Sequence, residues 1–135
     1  INPIEEDKLL INKLLKLMEF YKADYTNTFA ALTFKKSCKD SLFKSNEFSL
    51  WKKQWIERIQ NEKNSYKIMR KNNPIYIPRN HLVESALKSA TDGNRKEFDE
   101  LLNLMSHTYN YNAKHNGFQT IPKDFDKSYK TFCGT

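Results

Sequence analysis

Residues 9–21, LLINKLLKLMEFY, hold the pattern that decides the fold. Large apolar side chains recur there at intervals of three and four, which places them on one side of an α-helix: Leu10, Leu14, Leu17, Met18 and Tyr21. Asn12, Lys13 and Lys16 interrupt the run, so it is too polar and too short to cross a membrane. The stretch therefore predicts an amphipathic helix that packs into a core.

The flanking residues predict where this helix begins and where the next one starts. Asn2 is followed by Pro3 and Glu5, which is typical of an N-cap with proline at the first helical position. Asp24 predicts the cap of a second helix, or of a bent continuation, that runs to about Phe34. Its inward residues have the same helical spacing: Tyr25, Phe29 and Leu32. Residues 35–44 are rich in lysine and serine and indicate a connection.

The next segments also favour helices. Ser45 or Asn46 predicts the cap of a helix that carries Phe48, Trp51, Trp55 and Ile59 on one face. Residues 61–73 predict a short polar helix, which Pro74 ends because proline pushes the preceding residue out of the helical region. Residues 73–78 then predict an extended bridge.

Two further helices come after the bridge. Asn80 predicts the cap of the first, which Asp92 and Gly93 end, and Asn94 with Glu97 restarts the chain as the second. Their predicted inward residues are Leu82, Val83, Ala86, Leu87 and Ala90, then Phe98, Leu101, Leu102 and Met105. Helical periodicity stops after residue 105, and no strand pattern competes with it.

These patterns predict an all-α fold. We expect a small helical bundle of about five or six helices over residues 1–105, followed by an irregular C-terminal tail over residues 106–135. Because the chain begins with Ile1 rather than methionine, directly before a helix, we also expect it to be a segment of something longer.

Composition excludes several classes of protein. The 23 Lys and Arg against 16 Asp and Glu give a net charge of +7, but these charges are scattered between acidic residues along nearly every segment. We therefore expect no nucleic-acid partner, and we expect no membrane partner either. The 2 cysteines and the lack of a signal peptide argue against a disulfide-rich secreted scaffold and favour a cytoplasmic setting.

The chemistry-bearing residues form no complete site. The soft metal ligands lie outside the spacing of zinc motifs, and no metal site is predicted: Cys38, Cys133, His81, His107 and His115. The 3 glycines form neither a P-loop nor a dinucleotide fingerprint. We therefore predict no catalytic, cofactor-binding or metal-binding residue within this chain.

Residues 73–81, NPIYIPRNH, are the most constrained local sequence, because two prolines fix an extended path that ends on a helix cap. The helix dipole disfavours an arginine at a helix start, so we expect Arg79 to have a purpose there. A structural ion pair is one possibility, and contact with an anion is the other.

The same nine residues, together with 83–87 (VESAL) and 129–135 (YKTFCGT), resemble the C-terminal portion of the selenoprotein O family. Residues 24–26 (DYT) and 55–58 (WIER) are similar to that family as well. The resemblance covers nearly the whole chain and is weakest over residues 106–128.

The resemblance implies a parent enzyme with a protein-kinase-like fold that transfers AMP from ATP to hydroxyl side chains of other proteins. ATP and Mg (or Mn) are implied for that parent, whose catalytic and metal-binding residues would precede this chain. The implied partners are the upstream kinase-like domain and the protein substrates. The alternative is an autonomous helical interaction or scaffolding module without catalytic activity.

One functional residue maps onto this chain through the resemblance. Cys133 occupies the place where some family members carry selenocysteine, for which a redox role is proposed. Cys38 or an upstream cysteine would be its disulfide partner, provided that the two Cα atoms come within about 7 Å.

Overall fold

Helices make up the regular structure in the computed structural model, which describes residues 4–36 and 38–122. Those residues form seven α-helices and one 3-10 helix: α1 (Glu5–Phe20), α2 (Tyr25–Phe34), α3 (Ser41–Lys44), α4 (Asn46–Ile59), α5 (Ser65–Asn72), α6 (Asn80–Thr91), α7 (Lys96–Ser106) and the 3-10 helix (Ala113–Gln119). No strand occurs within these ranges, so the all-α prediction is confirmed. The chain divides into two compact units, Ile1–Ile75 and Tyr76–Thr135.

Helix α1 begins later than its sequence predicts. Its N-cap is Ile4, whose backbone N–H donates to the Asp7 carboxylate at 3.0 Å. Asp7 thereby satisfies one of the amides that a helix start leaves without a partner, and it adds negative charge at the positive end of the helix. The predicted cap at Asn2 is therefore wrong, and Asn2 itself lies outside the described residues.

Two other caps are confirmed. The Asp24 carboxylate accepts from the backbone N–H of Asn27 at 2.8 Å, and the Ser45 hydroxyl accepts from that of Phe48 at 3.1 Å. Lys22 adopts a left-handed conformation, with φ 50°, between α1 and α2. The second helix is therefore a separate element rather than a bent continuation of the first.

The core of the first unit lies where α1 and α4 pack together. Its buried side chains are Leu14, Met18, Leu32, Leu42, Phe48 and Trp51. The Trp51 indole N–H donates to the Leu10 carbonyl at 2.9 Å, and the Trp51 and Trp55 rings stack with centroids 5.8 Å apart. Lys13 donates to Gln54 at 3.3 Å and Tyr21 donates to Glu47 at 3.2 Å, so the two helices run antiparallel. The predicted apolar faces of both helices are confirmed.

In the second unit, α6 and α7 pack against each other as a helical hairpin. Gly93 turns the chain between them with φ 90°, and the Asn94 backbone N–H donates to the Ser89 carbonyl at 2.9 Å. Glycine suits this position because it adopts left-handed conformations without a steric penalty. The buried apolar side chains of the hairpin are Ala86, Leu101 and Leu104.

Several sequence predictions for the second unit are wrong. Leu87 and Leu102 were predicted to point inward, but they are 50% and 57% exposed, whereas Leu104 is buried. The N-cap of α6 is Arg79 rather than Asn80. On α7, Leu104 rather than Leu102 lies on the same side of the helix as Leu101. The buried side of α7 therefore differs from the predicted one.

The connecting segments also differ from their predictions. Residues 35–44 contain the short helix α3, and α5 begins at Ser65, after Asn64 adopts φ 71°. A 3-10 helix lies within the tail that was predicted to be irregular, because Asn112 caps it by accepting from the Lys114 backbone N–H. Across residues 4–36 and 38–122, no helix is long and apolar enough to span a bilayer.

Candidate functional site

The bridge after α5 is non-helical, with extended backbone at Asn73 and a bend at Ile75, and its first residue is held within the first unit. The Asn73 side-chain amide donates to the Thr33 hydroxyl at 2.8 Å, and that hydroxyl donates to the Phe29 carbonyl at 2.7 Å. Thr33 is fully buried, so the amide satisfies a hydroxyl oxygen that water does not reach. Pro74 comes directly after Asn73 and prevents the helix from continuing.

Tyr76 fixes the bridge within the second unit. Its side chain is buried, and its hydroxyl both donates to the Asn112 carbonyl at 2.9 Å and accepts from the Asn112 backbone N–H at 3.1 Å. Its backbone N–H donates to the Thr108 carbonyl at 3.4 Å, and the Thr108 hydroxyl donates to the Tyr76 carbonyl. Tyr76 therefore joins the segment before α6 to the segment after α7.

Arg79 and His81 lie where the bridge enters α6. The Arg79 carbonyl accepts from the backbone N–H groups of Leu82 and Val83 at 2.9 and 3.0 Å, which makes it the first acceptor of the helix. The Arg79 side chain is half-buried. The expected role of Arg79, in an ion pair or in contact with an anion, stays a prediction.

His81 is a group whose environment the sequence does not reveal. Its Nδ1 atom is buried and has no hydrogen-bond partner among residues 4–36 and 38–122. Burial lowers the pKa of His81, the Arg79 charge lowers it further, and Glu84 opposes both. Near neutral pH the imidazole is therefore uncharged, next to a permanently charged guanidinium.

This lowered pKa gives the stability a pH dependence. A histidine with a lower pKa in the folded state than in the unfolded state favours folding above its ordinary pKa of 6.5. We expect the free energy of unfolding to fall as pH drops below 6.5, because the unfolded chain binds the proton first. His81→Gln should flatten this dependence in urea titrations. An identical pH profile for wild type and His81→Gln would contradict the assignment.

A second polar cluster lies between α1 and α4, in the first unit. The Arg58 Nε and Nη2 atoms donate to the two Asp7 carboxylate oxygens at 2.7 and 3.0 Å, and Nη1 donates to Glu62 at 3.0 Å. The hydrogen bonds from Arg58, followed by the one from the Ile4 N–H, lower the pKa of Asp7. The guanidinium forms an ion pair with each of the two carboxylates. We therefore interpret the cluster as structural and call these three residues, Asp7, Arg58 and Glu62, the clasp.

An open groove of about 380 Å³ adjoins this clasp. It is lined by Glu6, Asp7, Leu9, Leu10, Lys13, Gln54 and Arg58. Sequence reasoning missed the Asp7 and Arg58 pair, because the two residues lie 51 positions apart and neither has a motif of its own. The one sequence feature that pointed to a partner for Arg58 was its position, one helical turn beyond the face that carries Trp51 and Trp55.

The cysteine predictions have different outcomes. Cys133 lies outside the described residues, so its redox role and its pairing with Cys38 stay predictions. Cys38 is paired with no other cysteine among residues 4–36 and 38–122, and its thiol lies 3.7 Å from an Asp40 carboxylate oxygen. Burial raises the pKa of Cys38, which keeps its thiol protonated and weakly nucleophilic near neutral pH. Within residues 4–36 and 38–122, no three His, Cys, Asp or Glu side chains come together in a way that would hold a metal ion.

Comparisons with known proteins identify a family and similar proteins for this chain. The family model described as protein adenylyltransferase SelO matches residues 2–106. The chain is 46% identical over 136 residues to the protein nucleotidyltransferase YdiU of Bacillus mycoides (strain KBAB4). It is 43% identical to the proteins of the same description from Bacillus thuringiensis subsp. konkukian (strain 97-27) and from Bacillus anthracis.

Each of these alignments covers 97% of this chain and 28% of the relative. The chain thus spans little more than a quarter of the length of the curated relatives it matches. The family match includes the bridge, with Tyr76 and His81, and the helices on both sides of it. This chain belongs to the protein adenylyltransferase SelO family.

Proposed function

We propose that this chain is the C-terminal helical segment of a protein adenylyltransferase, which transfers AMP from ATP to Ser, Thr or Tyr hydroxyls of other proteins. The observation that carries the proposal is the family match over residues 2–106. The relatives that share 43–46% identity are described as protein nucleotidyltransferases, which supports the same class of reaction.

In this proposal, the segment supports catalysis without supplying the reacting groups. ATP and Mg²⁺ or Mn²⁺ bind in the part of the protein that precedes α1, in the cytoplasm. The Asp7 and Glu62 carboxylates both form ion pairs with Arg58, which supports a structural role for them. The contribution of the segment is structural, because its helices support the catalytic part.

The reaction class is tested with the full-length protein and ATP labelled on either the α- or the γ-phosphate. In AMP transfer, the protein hydroxyl attacks the α-phosphorus and pyrophosphate leaves, so only the α-label becomes attached to protein. We expect α-label and no γ-label on the acceptor proteins. Unlabelled ATP should compete better than GTP, CTP or UTP, because the family is described as an adenylyltransferase while its relatives are described more generally as nucleotidyltransferases.

Other outcomes would contradict the proposal. Attachment of the γ-label would indicate a kinase. Absence of both labels, with divalent metal and reductant present, would favour the alternative of a scaffolding module. Stronger competition by another nucleoside triphosphate would keep nucleotidyl transfer but replace AMP as the transferred group.

A further inference from the structure

A second open groove, of about 420 Å³, lies in the first unit beside the start of α5. Its volume is in the range of sites that bind small ligands. Ile56 and Ile59, near the end of α4, give it an apolar part, and the first turn of α5 gives it a polar part. We call it the α5 groove.

The first turn of α5 presents backbone N–H groups to this groove without protein acceptors. Asn64 is the N-cap, but its side chain makes no capping hydrogen bond. The Ser65 N–H donates to the Glu62 carbonyl at 3.2 Å, whereas the N–H groups of Tyr66 and Lys67 have no acceptor among residues 4–36 and 38–122. Such groups carry the partial positive charge of a helix start, and they attract anions.

The Ser65 hydroxyl is an independent sign of a ligand. The residue is only 7% exposed, and its hydroxyl makes no hydrogen bond with any part of the chain that the structure describes. The hydroxyl is not enclosed by protein, so it opens onto the groove that Ser65 lines. Polar groups buried to this extent normally have a hydrogen-bond partner, which indicates an acceptor in the groove.

The charges around the α5 groove also favour an anion. The Lys35 ammonium lies 4.3 Å from the centroid of the Tyr66 ring, and Lys67 lines the same groove. Neither lysine has an ion-pair partner within the described ranges. The Glu62 carboxylate also lines the groove, but it pairs with Arg58 at 3.0 Å, so its charge is matched.

We propose that the α5 groove binds a phosphate group, either as inorganic phosphate or as a small phosphate monoester. The Ser65 hydroxyl and the N–H groups of Tyr66 and Lys67 donate to the phosphate oxygens, and the ammonium groups of Lys35 and Lys67 offset the charge. A phosphate fits better than a carboxylate, because it offers enough oxygens for all of these donors. The binding does not depend on the proposed reaction, since every donor lies in the first unit.

The apolar part of the groove distinguishes the two sources of phosphate. Ile56 is 43% exposed, and Ile59 lines the groove beside it. The body of a monoester covers this apolar surface, whereas inorganic phosphate leaves it in water. A monoester with an apolar body should therefore bind more tightly than inorganic phosphate.

Phosphorus NMR titrations of the full-length protein test the site, with inorganic phosphate and phenyl phosphate as the two probes. Ser65→Ala removes one donor and leaves a side chain of similar size. Lys67→Gln removes one charge at an exposed position, so it serves as a second variant if Ser65→Ala does not fold. Lys71→Gln is the matched control, because it removes the same charge from the last turn of α5, outside the groove. Ionic strength is held constant, since salt screens exposed charges.

We expect Ser65→Ala to weaken binding of both probes by at least about tenfold, because a hydrogen bond to a charged group is lost. Lys67→Gln should weaken it by about threefold, and Lys71→Gln should leave it unchanged. Tighter binding of phenyl phosphate would support a monoester as the ligand, and tighter binding of inorganic phosphate would support free phosphate. Absence of binding would overturn the proposal. Equal affinities for wild type, Ser65→Ala and Lys67→Gln would overturn it as well, because the phosphate would then bind elsewhere in the protein.

Discussion

Trp51→Ala should lower the free energy of unfolding by about 3–5 kcal/mol, the range for removing a large aromatic side chain from a core. The Trp51 ring is 2% exposed and lies between Phe48, at a centroid distance of 5.5 Å, and Trp55, at 5.8 Å. Its indole N–H also donates to the Leu10 carbonyl, across the contact between α1 and α4. The substitution thus removes buried area, two ring contacts and one hydrogen bond between helices.

Two further variants make this result interpretable. Leu50→Ala alters the neighbouring residue, which is 58% exposed, so we expect a change within about 0.5 kcal/mol. Trp51→Phe keeps an aromatic ring but loses the indole N–H, and its effect should lie between the other two. Urea unfolding followed by far-ultraviolet circular dichroism compares all three without depending on tryptophan fluorescence. A loss below about 1 kcal/mol for Trp51→Ala would show that α1 and α4 do not pack as described.

Tyr76→Ala is the second substitution with a large expected effect, a loss of about 3–5 kcal/mol in the free energy of unfolding. The side chain is 1% exposed, and its hydroxyl makes two hydrogen bonds with the Asn112 backbone. Tyr76→Phe separates these contributions, because it keeps the ring and leaves the Asn112 carbonyl and N–H without their partner. We expect about 1–3 kcal/mol for that variant, about 0.5–1.5 kcal/mol for each of the two hydrogen bonds that it loses.

Tyr109→Phe is the matched control for the hydroxyl. Tyr109 is 46% exposed, so its hydroxyl is open to water in both the folded and the unfolded state. We expect a change within about 0.5 kcal/mol in the same urea titration. If Tyr76→Phe were as stable as Tyr109→Phe, the hydroxyl would not hold the bridge to the segment after α7.

The sequence predicted the elements whose signals are local. The Asp24 and Ser45 caps, the end of α5 before Pro74 and the turn at Gly93 each depend on a few adjacent residues, and the structure confirms them. The faces of α1 and α4 were also predicted, because their large apolar residues recur at helical spacing.

The wrong predictions concern features that tertiary contacts determine. On α7, Leu102 and Leu104 are equally apolar, and only tertiary packing buries Leu104 while Leu102 stays exposed. The start of α1 depends on the Asp7 carboxylate, which competes with the proline signal at Pro3 for the position of the cap. The 3-10 helix depends on Asn112, whose backbone is held by Tyr76 from 36 positions away.

The sequence indicated where the candidate site around the bridge lies, but not which side chains form its contacts. The prolines and the helix cap identified residues 73–81, and Arg79 stood out because its charge opposes the helix dipole. Neither Tyr76 nor His81 was distinguished, because burial of a hydroxyl or of a ring nitrogen has no local sequence signal. The pair of Asp7 and Arg58 was missed because the two residues lie 51 positions apart.

The most direct test of the account measures α-label transfer by the full-length protein carrying either Trp51→Ala or Leu50→Ala. Because we propose that these helices support a protein adenylyltransferase, activity should be lost at the temperature where the Trp51→Ala segment unfolds and retained in Leu50→Ala at that temperature. Proteolysis within residues 4–75 reports on unfolding of the segment in the same samples. Undiminished α-label transfer by a protein whose segment is unfolded would contradict the account.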